Sequence, residues 1–268
     1  MASRTKLVYQ QDGDIRQLPS KVISINPVSS LPAADQASIK DATDEDVAII
    51  TDETIFYVQG GGQPSDTGTI ASENATFEVN SVRHPATGSQ ILHFGRFNPP
   101  GSTDTIKEGD EIKQTIDSEK RDLHSRLHTA GHVLGLAINH LSREGVLPPL
   151  TESKASHYPN SAAVEFIGLI DGKHKAAIQA KTDEFVKGAT EVKIHWWPMA
   201  RLRKECEGVG DDFELPEGEE LGRVVEMVGL GSYPCGGTHV GNCGSTGKIE
   251  VKKIARTKGV SRISYKVE

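Results

Sequence analysis

Through the first 117 residues, apolar positions come in short runs broken by Gly, Pro, Asn and Asp: 47–51, 54–58, 68–70, 75–79 and 90–94. Runs of this length with frequent turn punctuation predict short strands, and several such strands predict a small antiparallel barrel. Residues 28–44 interrupt the pattern with a polar, Ser/Ala-rich stretch that reads as a surface loop. Residues 108–117 read as a last turn and strand. From Glu119 the period changes to that of a long helix ending near Glu144, before Gly145 and Pro148, with Ser118 as the expected N-cap. The boundary between two domains, 1–117 and 118–268, is placed there.

Beyond the helix the periods mix. Residues 162–167, 191–196, 222–228 and 247–251 read as strands, and 172–188 as a helix with Ala176, Ile178, Phe185 and Val186 on its apolar side. This half predicts an α+β layer, helices on a mostly antiparallel sheet. The acidic, Gly-containing stretch 206–220 reads as a solvated loop.

Composition narrows the class. No apolar run in the 268 residues approaches the length of a membrane span, and the N-terminus lacks the apolar core of a signal peptide. Three cysteines make no disulfide framework and suit a reducing compartment, so the expected location is the cytoplasm. A net charge of −7 argues against generic nucleic-acid binding. The local sign differs, however, between Lys248 and Lys266, where Lys248, Lys252, Lys253, Arg256, Lys258, Arg262 and Lys266 face only Glu250.

The chemistry-bearing residues lie in two short segments. His128 and His132 are four apart on the predicted helix, so they share one face. Cys235 and His239, also four apart, bracket Gly236 and Gly237 in what reads as a tight loop. Three imidazoles and one thiolate form a donor set that zinc accepts. Periodicity alone leaves His124 and His140 as rivals on the helix, and Cys243 as a rival to Cys235. Cys206 reads as an ordinary, partly buried thiol.

His128-Thr129-Ala130-x-His132 followed by Cys235-Gly236-Gly237-Thr238-His239 resembles the editing domain shared by alanyl-tRNA synthetases and the free-standing AlaX proteins. Other segments, in the same order, extend the resemblance over about residues 50–265. Gly60–Gly68 (GGGQPSDTG) is similar to the family's Gly-Gly-Gln-Pro-x-Asp-x-Gly stretch. Arg121 and Arg126 precede the histidine motif, and Lys258-Gly-Val-Ser-Arg-Ile is similar to its terminal strand.

The resemblance implies a translation-factor-like β-barrel over 1–117 and a zinc editing domain over 118–268. It selects His128, His132, Cys235 and His239 as ligands of one Zn2+. It also implies a stand-alone trans-editing factor without the aminoacylation domain, one that hydrolyses mischarged tRNA(Ala) carrying serine and, as a second substrate, glycine. A pocket for alanine rejects both poorly, which is the physical need for editing. Thr129 and Gln63 become candidate catalytic residues. Gly60, Gly61 and Gly62 would allow close backbone approach to substrate, and Arg126, Lys252, Lys253 and Lys258 would contact the acceptor end. Two alternatives stay open: a zinc-stabilised tRNA-binding module without hydrolytic activity, or a zinc hydrolase of another small ester. Four protein ligands suit a structural ion, whereas catalytic zinc keeps a position open.

Overall fold

A computed structural model describes residues 4–40, 42–100, 105–210, 212–216 and 218–268. The chain forms two compact units: Met1–Gly60 with Pro64–Arg121, and Gly61–Gln63 with Asp122–Glu268.

In the first unit the elements are β1 (Lys6–Leu7), β2 (Gln17–Pro27), α1 (Ala33–Gln36), β3 (Val47–Thr51), β4 (Glu53–Thr54), β5 (Gly68–Ala71), β6 (Thr76–Arg83), β7 (Leu92–Asn98) and β8 (Glu111–Ile116). Six of them close a barrel in the order β2-β3-β7-β6-β5-β8, every pair antiparallel. Alternate residues such as Phe77 and Val79 point inward to meet Val22, Ile49, Ile70 and Ile112. β1 and β4 pair in parallel outside the barrel ladder.

Three sequence expectations change here. The longest barrel strand, β2, was not foreseen, because one of its buried positions is polar. Ser20 is buried and accepts from Gln114 Nε2 at 2.7 Å, and Pro19 and a bulge between Val22 and Ser24 further blur the alternation. Residues 54–58 form a strand only at Thr54; Ile55 to Val58 are buried but irregular. Their backbone is satisfied by side chains: Ile55 N–H by Gln114 Oε1, Phe56 N–H by Thr54 Oγ1 and Tyr57 N–H by Asp66 Oδ2. The 28–44 stretch is more than a surface loop. Val28 joins Ala48, Ile50, Leu92 and Phe94 in a small core, flanked by Leu31 and Ile39, and buried Asp35 accepts from Ala86 N–H.

The long helix α2 runs from Ser118 to Arg143. Its cap lies one residue before the expected one: Asp117 Oδ1 accepts from Lys120 N–H at 3.1 Å. At the other end Gly145, at φ 75°, lets Val146 N–H reach back to Leu141 O, a left-handed stop that glycine adopts without strain.

The second unit continues with β9 (Thr151–Ser156), β10 (Ala163–Ile167), α3 (Lys175–Gly188), β11 (Val192–Pro198), α4 (Met199–Glu205), β12 (Leu221–Met227), β13 (Gly231–Pro234), β14 (Ile249–Thr257) and β15 (Val260–Val267). Two antiparallel sheets result, β14-β15-β10-β9 and β11-β12-β13. Leu127, Val133, Leu134, Leu136, Ala137, Ile138 and Leu141 of α2 pack with Val164, Phe166, Val225, Ile249 and Ile263. The 206–220 stretch is only partly solvated, since Phe213 and Leu215 pack on Trp197, Leu202 and Val224. Among the described residues no helix is long and apolar enough to cross a membrane.

Candidate metal centre

Helix α2 carries His128 and His132 one turn apart, both buried, because the face that holds them also carries core residues such as Val133 and Leu136. Cys235 follows β13 directly, and its N–H donates to Arg223 O at 3.0 Å, extending the β12–β13 register by one residue. The loop then turns through Gly236 and Gly237 to His239. A Cβ at Gly237 would lie 2.1 Å from the His128 ring, so only glycine lets the loop close on the helix.

One donor atom each from His128, His132, Cys235 and His239 lies within 4.8 Å of all the others, and these four residues can hold a metal ion. Cys235 Sγ is 3.4 Å from His128 Nε2 and 3.3 Å from His239 Nε2. Tetrahedral coordination with metal–N near 2.0 Å and metal–S near 2.3 Å needs about 3.5 Å between such atoms, so the donor set fits.

A second layer aims the rings, as metal-ligating imidazoles require. His128 Nδ1–H donates to Gln63 Oε1 at 2.6 Å, which turns Nε2 inward. Gln63, buried, is itself fixed by donating to Thr238 Oγ1 at 2.9 Å and accepting from Thr238 N–H; Ser125 Oγ donates to the same threonine oxygen. Thr129 Oγ1 accepts from Val240 N–H and pairs with His239 Nδ1 at 3.1 Å, turning that ring's Nε2 inward. His132 Nδ1 is buried and has no hydrogen-bond partner among the described residues, so none of them commits that ring's tautomer.

Burial lowers the affinity of His128, His132 and His239 for protons well below the usual imidazole range, neighbouring histidines and Arg223 adding to the effect. These rings are therefore held neutral, the form that binds metal. Burial pushes the Cys235 thiol up, while the Gly237 N–H and the Arg223 charge pull it down. A cation at the centre would favour the thiolate outright.

Other sequence candidates separate from the cluster. Cys243 is a core thiol pushed up to about 11 by burial, and His140 donates from Nε2–H to Leu230 O beside Phe185, outside the cluster. Arg126 is bound to the carbonyls of Thr246 and Glu268. Lys252 pairs with Glu250, whereas Lys253 is exposed on β14 and Lys258, at φ 49°, lies in the β14–β15 turn. Gly60 ends the first segment of unit one; Gly61 and Gly62 have φ 51° and 78°, and Gly62 O accepts from His157 N–H. Arg121 and Asp66, both fully buried, form an ion pair within the first unit, and Arg121 also donates to Gly13 O and Ile55 O.

Two participants escaped the sequence. His157 stacks on His128 at 4.2 Å between centroids and bonds through Nδ1 to the Tyr265 hydroxyl, which donates to Leu127 O; burial holds it near 4. Arg223, buried, donates from Nη1 to Cys235 O at 2.6 Å. Neither belongs to a spaced motif.

Residues 14–120 match the family of class II (A) tRNA synthetases. The chain is 32% identical over 234 residues to the alanine–tRNA ligase of Methanosphaera stadtmanae, covering 82% of this chain and 24% of that protein. It is 28% identical to the alanine–tRNA ligase of Haloquadratum walsbyi, with 86% and 24% covered, and 27% to that of Thermotoga petrophila, with 87% and 26% covered. The chain is alanyl-tRNA synthetase-related. It spans about a quarter of the length of these relatives, and the segment it shares with them includes the histidine helix and most of the barrel.

Proposed function

We propose that this chain is a zinc-centred deacylase that hydrolyses the ester of mischarged tRNA(Ala), with serine as the principal amino acid removed and glycine as a second. The observation that carries the reading is the His128, His132, Cys235, His239 cluster, with each outer imidazole nitrogen of His128 and His239 held by Gln63 or Thr129. Its relation to alanine–tRNA ligases adds the substrate class. We read the barrel unit as the translation-factor-like domain and the second unit as the editing domain, working on tRNA in the cytoplasm.

Zinc, when bound, would supply Lewis acidity and a template for the ester. The chain's own residues do the rest. Gln63 and Thr129 are positioning residues that fix two ligand rings, and Arg223 places a buried positive charge beside Cys235. The depth of His128 limits water to the half-buried side formed by Cys235 and His239. The four-donor count favours one rival, a structural ion in a tRNA-binding module.

Purified protein is assayed on Ser-tRNA(Ala), Ala-tRNA(Ala) and a serine ethyl ester, with metal content measured in parallel. The expected result is hydrolysis of Ser-tRNA(Ala) well above Ala-tRNA(Ala). In Cys235→Ala, bound zinc and hydrolysis should fall together, by tenfold or more. Binding of tRNA with no hydrolysis would leave only the binding module.

A further inference from the structure

Resting on the deacylase reading, we propose that Trp196 is the platform on which the terminal adenine of the aminoacyl-tRNA stacks. Strand pairing sets Trp196 opposite Arg223, and pairing of Val224 with Pro234 sets Arg223 beside Cys235. Directly opposed residues on neighbouring strands share a face, with Cβ atoms about 5 Å apart. Trp196, Arg223 and Cys235 therefore form one row, with the Cβ of Trp196 about 10 Å from that of the cluster ligand Cys235. Arg223 spans the interval, donating to Cys235 O.

The opposite face of this sheet is already covered, since Trp197 and Val224 pack there with Leu202 of α4. On the Trp196 face Val225 and Met227 are buried with α2, and the exposed side chains lie towards the edge strand β11. Trp196 is 43% exposed, and among the described residues it is the one aromatic side chain that is not buried or half-buried. Ile194 and Leu221, on the same face by register, extend the apolar shelf at 38% and 44% exposure. In the cluster itself Cys235 and His239 are half-buried and Gly236 is exposed.

The chemistry of the substrate matches this layout. An aminoacyl ester sits on the terminal ribose of tRNA, and the adenine is carried by the same sugar. A substrate whose carbonyl reaches the cluster must therefore place a purine within one sugar ring of it. A flat, exposed indole beside a guanidinium offers that purine a stacking face, as aromatic platforms do for single-stranded bases.

The test compares wild type, Trp196→Ala and Trp196→Phe on Ser-tRNA(Ala) and on serine ethyl ester, which lacks the base. Trp196→Ala should raise KM for Ser-tRNA(Ala) by about 5- to 160-fold, the range that one lost base-stacking contact carries. It should keep kcat, ester hydrolysis and zinc content, and Trp196→Phe should keep most of the affinity. Quenching of tryptophan fluorescence by 5′-AMP should be present in wild type and lost in Trp196→Phe. An active wild type with unchanged KM in Trp196→Ala overturns the platform alone. Loss of ester hydrolysis or zinc in that variant also overturns it, in favour of a structural role, as does a shift from dimer to monomer at constant KM, which would assign the shelf to a second copy. An inactive wild type overturns the deacylase reading instead, and AMP quenching then decides on Trp196 separately.

Discussion

His93 sits at the centre of the barrel unit, fully buried, with Nδ1–H donating to Ile49 O at 3.0 Å and Nε2 accepting from Thr54 Oγ1 at 2.8 Å. Burial lowers it to about 4, from an ordinary 6.5. The unfolded chain therefore takes up this proton first. The stabilisation is intact above pH 6.5 and is lost as pH falls from 6.5 towards 4, by about 3 kcal/mol in all at about 1.4 per unit. Urea melts across that window should show His93→Gln losing about 3 kcal/mol less than wild type; parallel acid limbs would refute this. The same residue scale explains what could be read beforehand. His128, His132, Cys235 and His239 were legible because metal ligands repeat at fixed short spacings. His157 meets Tyr265 across 108 residues and Arg223 meets a backbone carbonyl, contacts that no local pattern encodes.

Among the elements, α2 is the one on which the candidate centre rests. Its first turn is capped by Asp117, whose carboxyl is held below its ordinary range mainly by the Lys120 N–H. Asp117→Ala should cost about 1 kcal/mol and Asp117→Asn much less, read as a shift of the denaturation midpoint. An equal loss in both variants would mean the charge, not the cap, is what counts. Long helices and alternating strands such as β6 were visible because their inward positions are apolar. β2 was hidden by the buried Ser20–Gln114 pair. Ile55 to Val58 looked like a strand because burial, not pairing, sets their composition; Asp66 and Gln114 take the place of a neighbouring strand. β9, with sequence TESKAS and mostly exposed, has no apolar side to reveal it.

At the scale of the molecule, net charge conceals a division of labour within the β14–β15 hairpin. Lys252 and Lys266 are paired with Glu250, and Lys248 with Glu268. Lys253 and Lys258 carry no ion pair among the described residues. If the hairpin meets phosphates, replacing both with Gln should reduce the slope of log affinity for tRNA against log salt by about 1.5, and Lys252→Gln should change it less. Filter binding at several salt concentrations checks this, and an unchanged slope places the tRNA backbone elsewhere.

Gln63 carries a different consequence. With Gly61 and Gly62 it belongs to the second unit, although Gly60 before them and Pro64 after them belong to the first, and it grips Thr238 across 175 residues. The two units are thus not consecutive along the sequence. The chain dips into the second unit for three residues, returns, and crosses again at Arg121. A scissor cut at the helix would divide the sequence neatly and the architecture badly. The excised C-terminal piece would keep every metal donor yet leave His128 without its partner, so in a protein assembled this way the ligands and their alignment are inherited from different ends of the chain.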